Sequence, residues 1–266
     1  SKIYFLTGHG ERQLAGSDQT GLAGVKRVLE GKNYVIEELN LLASNIIPED
    51  AEVIVIAGPQ KPVSTAEIEL LKQFLANDGV LIVAEEPPIM TDFGEEADHL
   101  AEYLAESWGI LLGNNFVDDQ TSNTPSVAIG ADWGSHVIVQ KLAGNAVVLP
   151  SARSVSIETA EGISQVMLVS TMAQAWGETD VEALKGNGQG KPDADVDMMG
   201  PITLAVVAEN LSGQGKVVVF GDVDFMSDAY FPYYVNSDLI VNTVDWSVGK
   251  EDLISLTPKQ TTTRTV

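Results

Sequence analysis

The chain has 266 residues, with 15 Lys and Arg against 38 Asp and Glu, for a formal charge of −23. At 44% hydrophobic and 20% charged it has the apolar surface to build a full core, which sets it apart from acidic disordered tails. The charge excludes counterion-displacing binding to nucleic acid or anionic lipid. The lack of Cys excludes thiolate metal centres, disulfides and Cys nucleophiles together.

In chain order, the first half alternates short apolar runs with helical patterns, the texture of parallel strands joined by crossover helices. Lys2–Thr7 reads as a strand ending in the turn Gly8-His9-Gly10-Glu11. Asp18 is placed to cap a helix carrying Leu22, Val25 and Leu29 and stopping at Gly31. Strands are expected over 34–39 and 52–57, the latter closed by Gly58-Pro59. Ser64 and Glu67 have capping-box spacing ahead of a helix with Ile68, Leu71 and Leu75 on its inner face, and Asn77-Asp78-Gly79 supplies its stop. Val80–Ala84 is apolar throughout, as a strand covered on both faces should be. A helix over 95–108 and a strand over 110–117 follow.

From Asp118 onward, short β-type runs at 126–129, 136–139, 146–149, 154–157 and 165–170 alternate with Gly, Asn and Pro. They predict antiparallel strands that either extend the sheet edge or form a small inserted subdomain. Residues 185–200, rich in Gly and Asp, are expected to be a mobile loop. Strands over 202–208 and 216–220 and a helix over 237–248 close the pattern. The predicted fold is thus α/β, a doubly wound mostly parallel sheet built from 1–117 and 201–258, with a β-rich insertion at 118–200. The Thr-rich stretch 259–266 reads as a polar linker. Because Ser1 leads straight into an apolar strand, the sequence is expected to be a segment of a longer protein. Its own apolar runs are far shorter than the roughly 20 residues that span a bilayer.

Ligands of doubly wound sheets bind beyond the carboxyl ends of the strands. Topology therefore gathers four groups there: Gly8, His9, Gly10 and Glu11; Gly58 with Pro59 and Gln60; Glu85 and Glu86; and Asp222 with Asp224. His9 beside Glu11 suits a general base or a metal ligand, but one His with carboxylates is a poor metal set, and a His capping or bridging the tight Gly-x-Gly turn is the reading preferred. Glu86 is a weak third catalytic candidate. Position 13 is Gln13, so Gly8-His9-Gly10 is not a dinucleotide fingerprint. Asp222, Asp224 and Asp228 offer hard oxygens to Mg²⁺ or Ca²⁺, but such Asp runs also serve turns and caps. No G-x-S-x-G elbow is present. No cofactor is expected.

The stretches Tyr4–Glu11, Ile54–Glu86 and Val217–Phe225, with Asn236–Leu239 and Asn242–Trp246, resemble the extracytoplasmic auxiliary subunit of gliding-motility-type ABC transport systems. The resemblance covers both ends of the chain and leaves about 118–200 unmatched. It implies a domain outside the cytoplasmic membrane, anchored by transmembrane helices not included in this sequence and partnered by the transporter's membrane subunits. It also implies a fold similar to class I glutamine amidotransferases and to a domain of an intraflagellar-transport subunit. The amidotransferase nucleophile is a Cys, so that activity does not carry over, and the family brings no catalytic residues with it. The expected function is non-catalytic binding of a ligand or partner. The alternatives are a metal-dependent hydrolase using His9, Glu11, Glu86 and Asp224, or a carbohydrate-binding module stacking a sugar on an exposed Trp133 or Trp176.

Overall fold

The structure, a computed structural model, describes residues 1–16, 18–180 and 190–254. The expected linker at 259–266, and residues 185–189 of the expected loop, lie outside them.

Five strands, β1 (Lys2–Leu6), β2 (Val35–Leu39), β3 (Val53–Ala57), β4 (Val80–Ala84) and β15 (Lys216–Phe220), run parallel in the order β2-β1-β3-β4-β15. Three antiparallel strands extend the same sheet beyond β15: β14 (Thr203–Asn210), β11 (Ile163–Ser170) and the short β8 (Asp132–Trp133). The segment between β4 and β14 also supplies β5 (Ile110–Leu112), β6 (Phe116–Asp119), β7 (Val127–Gly130), β9 (Val147–Pro150), β10 (Val155–Ile157), β12 (Ala175–Glu178) and β13 (Met198–Met199). These form small antiparallel sheets, β10-β5, β13-β12-β6 and β7-β9. Of the two arrangements the sequence allowed for this region, β8 and β11 take the first and extend the main sheet.

Side-chain alternation sorts the buried residues into two cores. Ile3, Phe5, Val55, Ile82, Val218 and Phe220 face one way, against α1 (Ala23–Gly31) and α5 (Asn236–Ser247). Leu6, Ile54, Ile56, Leu81, Val83 and Val219 face the other, against α3 (Thr65–Ala76) and α4 (His99–Trp108). The remaining helix, α2 (Leu41–Ser44), is a single turn capped by Asn40 that the sequence pattern missed.

The capping box is formed: the Ser64 hydroxyl accepts from the Glu67 amide, and the Glu67 carboxylate accepts from the Ser64 amide at 3.0 Å and its hydroxyl at 2.7 Å. Replacing Ser64 by Ala should cost about 1–2 kcal/mol in urea denaturation, the upper part of the capping range.

Other expectations need correction. Asp18 does not cap α1 but closes its own turn onto Thr20 and Gly21. The first amides of α1, at Ala23 and Gly24, donate instead to Asp228, about 200 residues away in sequence. α4 begins at His99 rather than 95, because the Asp98 side chain takes the Ala101 amide and fixes the start there. The strand expected over 110–117 breaks in two, since Asn115 turns aside to bond Ser154. The strand expected over 136–139 is a turn, with Ile138 and Val139 buried under α5 and the Ile138 carbonyl accepting from Asn242.

Candidate functional site

β1, β3, β4 and β15 end at one edge of the sheet, so Gly8–Glu11, Gly58, Glu85–Glu86 and Asp222–Asp224 all lie along that edge. They do not form one cluster. The pleat and the turns divide them into three polar nests.

The first is centred on His9, which is only 3% exposed. Its Nδ1 lies 2.9 Å from Glu11 Oε1 and its Nε2 lies 3.0 Å from Glu67 Oε2, while its backbone amide donates to the other Glu11 oxygen. Gly8 and Gly10 take positive φ, 117° and 80°, which folds the turn tightly enough for Glu11 to reach back. Burial alone would lower the imidazole pKa, but the hydrogen bonds its ring donates to both carboxylates, and their charges, outweigh it and raise it to about 9. Glu67 moves down: burial opposes ionisation, but bonds from His9 and Ser64 win. At neutral pH the nest is an imidazolium clamped between two carboxylates, with no ring nitrogen left to act as a base. It ties the β1 turn to the start of α3. Glu67 carries both the cap and the clamp, and the sequence signalled only the cap.

The second nest lies on the α1/α5 side and holds Glu86, Asp222 and Asp224 with Arg12. Asp222 is fully buried and accepts the amides of Asp224 at 2.9 Å and Phe225 at 2.7 Å. The Arg12 guanidinium donates to Asp224 Oδ1 at 2.8 Å and stands 3.7 Å from Glu86 Oε1. Burial raises the Glu86 carboxyl, the Asp224 charge raises it further and Arg12 pulls it partly back. Burial, then Glu86 and Asp224, raise Asp222 as well. Burial also raises Asp224, against Arg12. The trio ionises less readily than separate carboxylates; the two amides on Asp222 and the Arg12 guanidinium on Asp224 oppose that rise without cancelling it. Sequence reasoning overlooked Arg12; its position next to Glu11 in a cation-poor chain was the available signal.

Gly58 serves this nest by close approach. Its φ is +68°, and a Cβ there would come 2.6 Å from Val223 Cγ1, so only Gly lets the β3 turn pack on the Asp222–Asp224 segment. Asp228 stands apart from the trio in its role, occupied by the start of α1.

The third nest surrounds Glu85, which points to the α3/α4 side, as its position one residue before Glu86 dictates. Arg153 reaches it from the β9–β10 connection, Nη1 lying 3.7 Å from Glu85 and 3.9 Å from Asp98. The same guanidinium donates to the carbonyls of Gly113 at 2.8 Å, Glu86 at 3.1 Å and Leu112 at 3.2 Å. Burial pushes Glu85 well up and the Asp98 charge adds to this, with Arg153 opposing. Arg153 too was overlooked in the sequence.

His9, Glu86 and Asp222 are each at most 3% exposed, so the strand-end edge is filled with side chains. Trp176 is also buried, donating to Glu178, which corrects the expectation of an exposed indole there; Trp133 is half-buried and donates to the Asn145 carbonyl. A cleft of about 370 Å³ lies elsewhere, between the α3 and α4 starts, lined by Ser64, Thr65, Glu96 and His99 among others. Among the described residues no helix is long and apolar enough to cross a membrane.

Several solved structures share this architecture. The mmIFT52 N-terminal domain is 20% identical, with a TM-score of 0.67 over 92% of this chain and 97% of its own. A putative ThuA-like protein from Bacteroides uniformis is 15% identical, with a TM-score of 0.54 over 94% of this chain and 91% of its own. The cytoplasmic protein STM1381 of Salmonella typhimurium LT2 is 13% identical, with a TM-score of 0.55 over 92% of this chain and 99% of its own. At these identities the likeness is one of fold. No curated protein sequence matches the chain. The family described as "ABC-type uncharacterized transport system" matches residues 1–243, and the chain belongs to that family of transport auxiliary components.

Proposed function

We propose that this chain is a non-catalytic, extracytoplasmic partner-binding domain of an ABC-type transport system of the gliding-motility kind. In this reading the parent protein is anchored in the membrane by segments flanking the domain, and it engages the transporter's membrane subunits. The family membership supports the transport context. The observation that carries the binding role is the filled strand-end edge: His9, Glu11, Glu67, Arg12 and Asp224 are committed to one another where an enzyme of this architecture would open a cleft. The strand order β2-β1-β3-β4-β15 is flavodoxin-like and supports a glutamine amidotransferase-like ancestry without its Cys chemistry. The charge of −23 suits a domain held away from its own anionic bilayer.

The lack of Cys makes the test direct. Ser212 is exposed in the β14–β15 turn, so Ser212→Cys in the full-length parent protein should be labelled by a membrane-impermeant maleimide in intact cells, above the unsubstituted background. The same protein, purified from detergent-solubilised membranes, should bring down the ATPase and permease of its system. Labelling only after lysis would overturn the location. Purification without transporter subunits would overturn the partnership.

A further inference from the structure

We propose that Glu86, Asp222 and Asp224 form a binding site for a hard divalent cation, with Ca²⁺ the best match. Each turns a carboxylate oxygen to within 4.8 Å of an oxygen from the other two. Oxygens on opposite sides of a Ca²⁺ ion stand about 4.6–5.2 Å apart, so one ion can reach all three with little movement. An all-oxygen set of this kind selects Ca²⁺, Mg²⁺ or Mn²⁺ over softer metals.

A separate observation at the same place calls for a positive ligand. Glu86 is 3% exposed, yet its Oε2 is buried and takes no hydrogen bond from any described residue. Buried carboxylate oxygens are ordinarily satisfied, and one left bare is costly. The neighbouring groups do not meet this need by themselves: the Val223 amide reaches only the other oxygen, at 3.4 Å, and Asp222 approaches Glu86 as a second acid, which can bond to it only through a shared proton or a cation. Asp222 is held by two backbone amides, which fix its orientation as outer-shell bonds fix metal ligands. Arg12 spends its short bond on Asp224 Oδ1 and meets Glu86 only at 3.7 Å, on the other oxygen. Once a cation has displaced their protons, three carboxylates set against one guanidinium carry a net −2, the charge that a single divalent ion neutralises. The Asp224 and Arg12 side chains are 25% and 23% exposed, so the cluster borders solvent on that side.

The experiment is calorimetric titration of CaCl₂ into the chelator-treated full chain at about 0.15 M salt, where diffuse attraction to a polyanion is screened. The expected result is one saturable site with a matching rise in Tm, and weaker binding of MgCl₂. Glu86→Gln should abolish the site, and Asp224→Asn should weaken it by more than about tenfold. Glu106→Gln, an exposed carboxylate on α4, should leave it unchanged. Because Asp224 is partly exposed, Asp224→Asn gives the same reading should Glu86→Gln fold poorly. No saturable binding below about 1 mM overturns the proposal, millimolar Kd being the weak limit of Ca²⁺ modules. Weak multi-site binding that is equal in wild type and Glu86→Gln also overturns it.

Discussion

Arg153→Met should lower stability by about 3–5 kcal/mol in urea denaturation, the range for removing one partner from a buried charge cluster. Arg153 is 3% exposed and its guanidinium donates to the carbonyls of Gly113, Leu112 and Glu86. Those carbonyls belong to two stretches of chain, the ends of β5 and β4, so Met would leave several buried acceptors bare, each costing about 1–3 kcal/mol. Asp98 would lose its cation as well. Glu85→Gln, by contrast, should cost under about 1 kcal/mol: burial already holds that carboxyl toward its neutral form, and the amide preserves its shape. A Glu85→Gln cost equal to that of Arg153→Met would show instead that the cluster depends on an ionised Glu85.

His9→Gln should give a pH-dependent loss. In the folded protein the imidazole pKa is about 9 against an ordinary value of 6.5. The native state therefore holds the proton more tightly than the unfolded chain. The stabilisation is fully present below about pH 6.5 and is lost as pH rises through about 9. The shift corresponds to about 3 kcal/mol. Wild type and His9→Gln, unfolded in urea at intervals from pH 6 to 10, should differ most at the acid end and converge at the alkaline end. Subtracting the two curves cancels the buried carboxylates of the neighbouring nests, which titrate in both proteins. A difference that stays flat across this range would mean that His9 is neutral in the native state.

These contrasts show where the sequence spoke clearly. β4 and β15 were legible because apolar runs of five residues (80–84) and four (217–220) permit little else than covered strands. α3 was legible because its cap, inner face and stop are all local. The start of α1 was not, since the group that satisfies its amides is Asp228, and the nearer Asp18 offered a plausible decoy. The residues gathered at the strand ends followed from topology. Their partition did not, because Glu85 and Glu86 differ by one residue and so face opposite cores. Arg12 and Arg153 entered no motif; their partners are distant in the chain and only the fold brings them together.

The position of β15 has a consequence for the order of folding. It lies between β4 and β14, paired in parallel with the first and antiparallel with the second. During synthesis β4, apolar along its whole length, must wait for about half of the chain before its second neighbour arrives. Until then its free edge is a template for pairing with any other strand. A domain wired in this way folds late and over long loops, and the last strand among the described residues is the one that seals its centre.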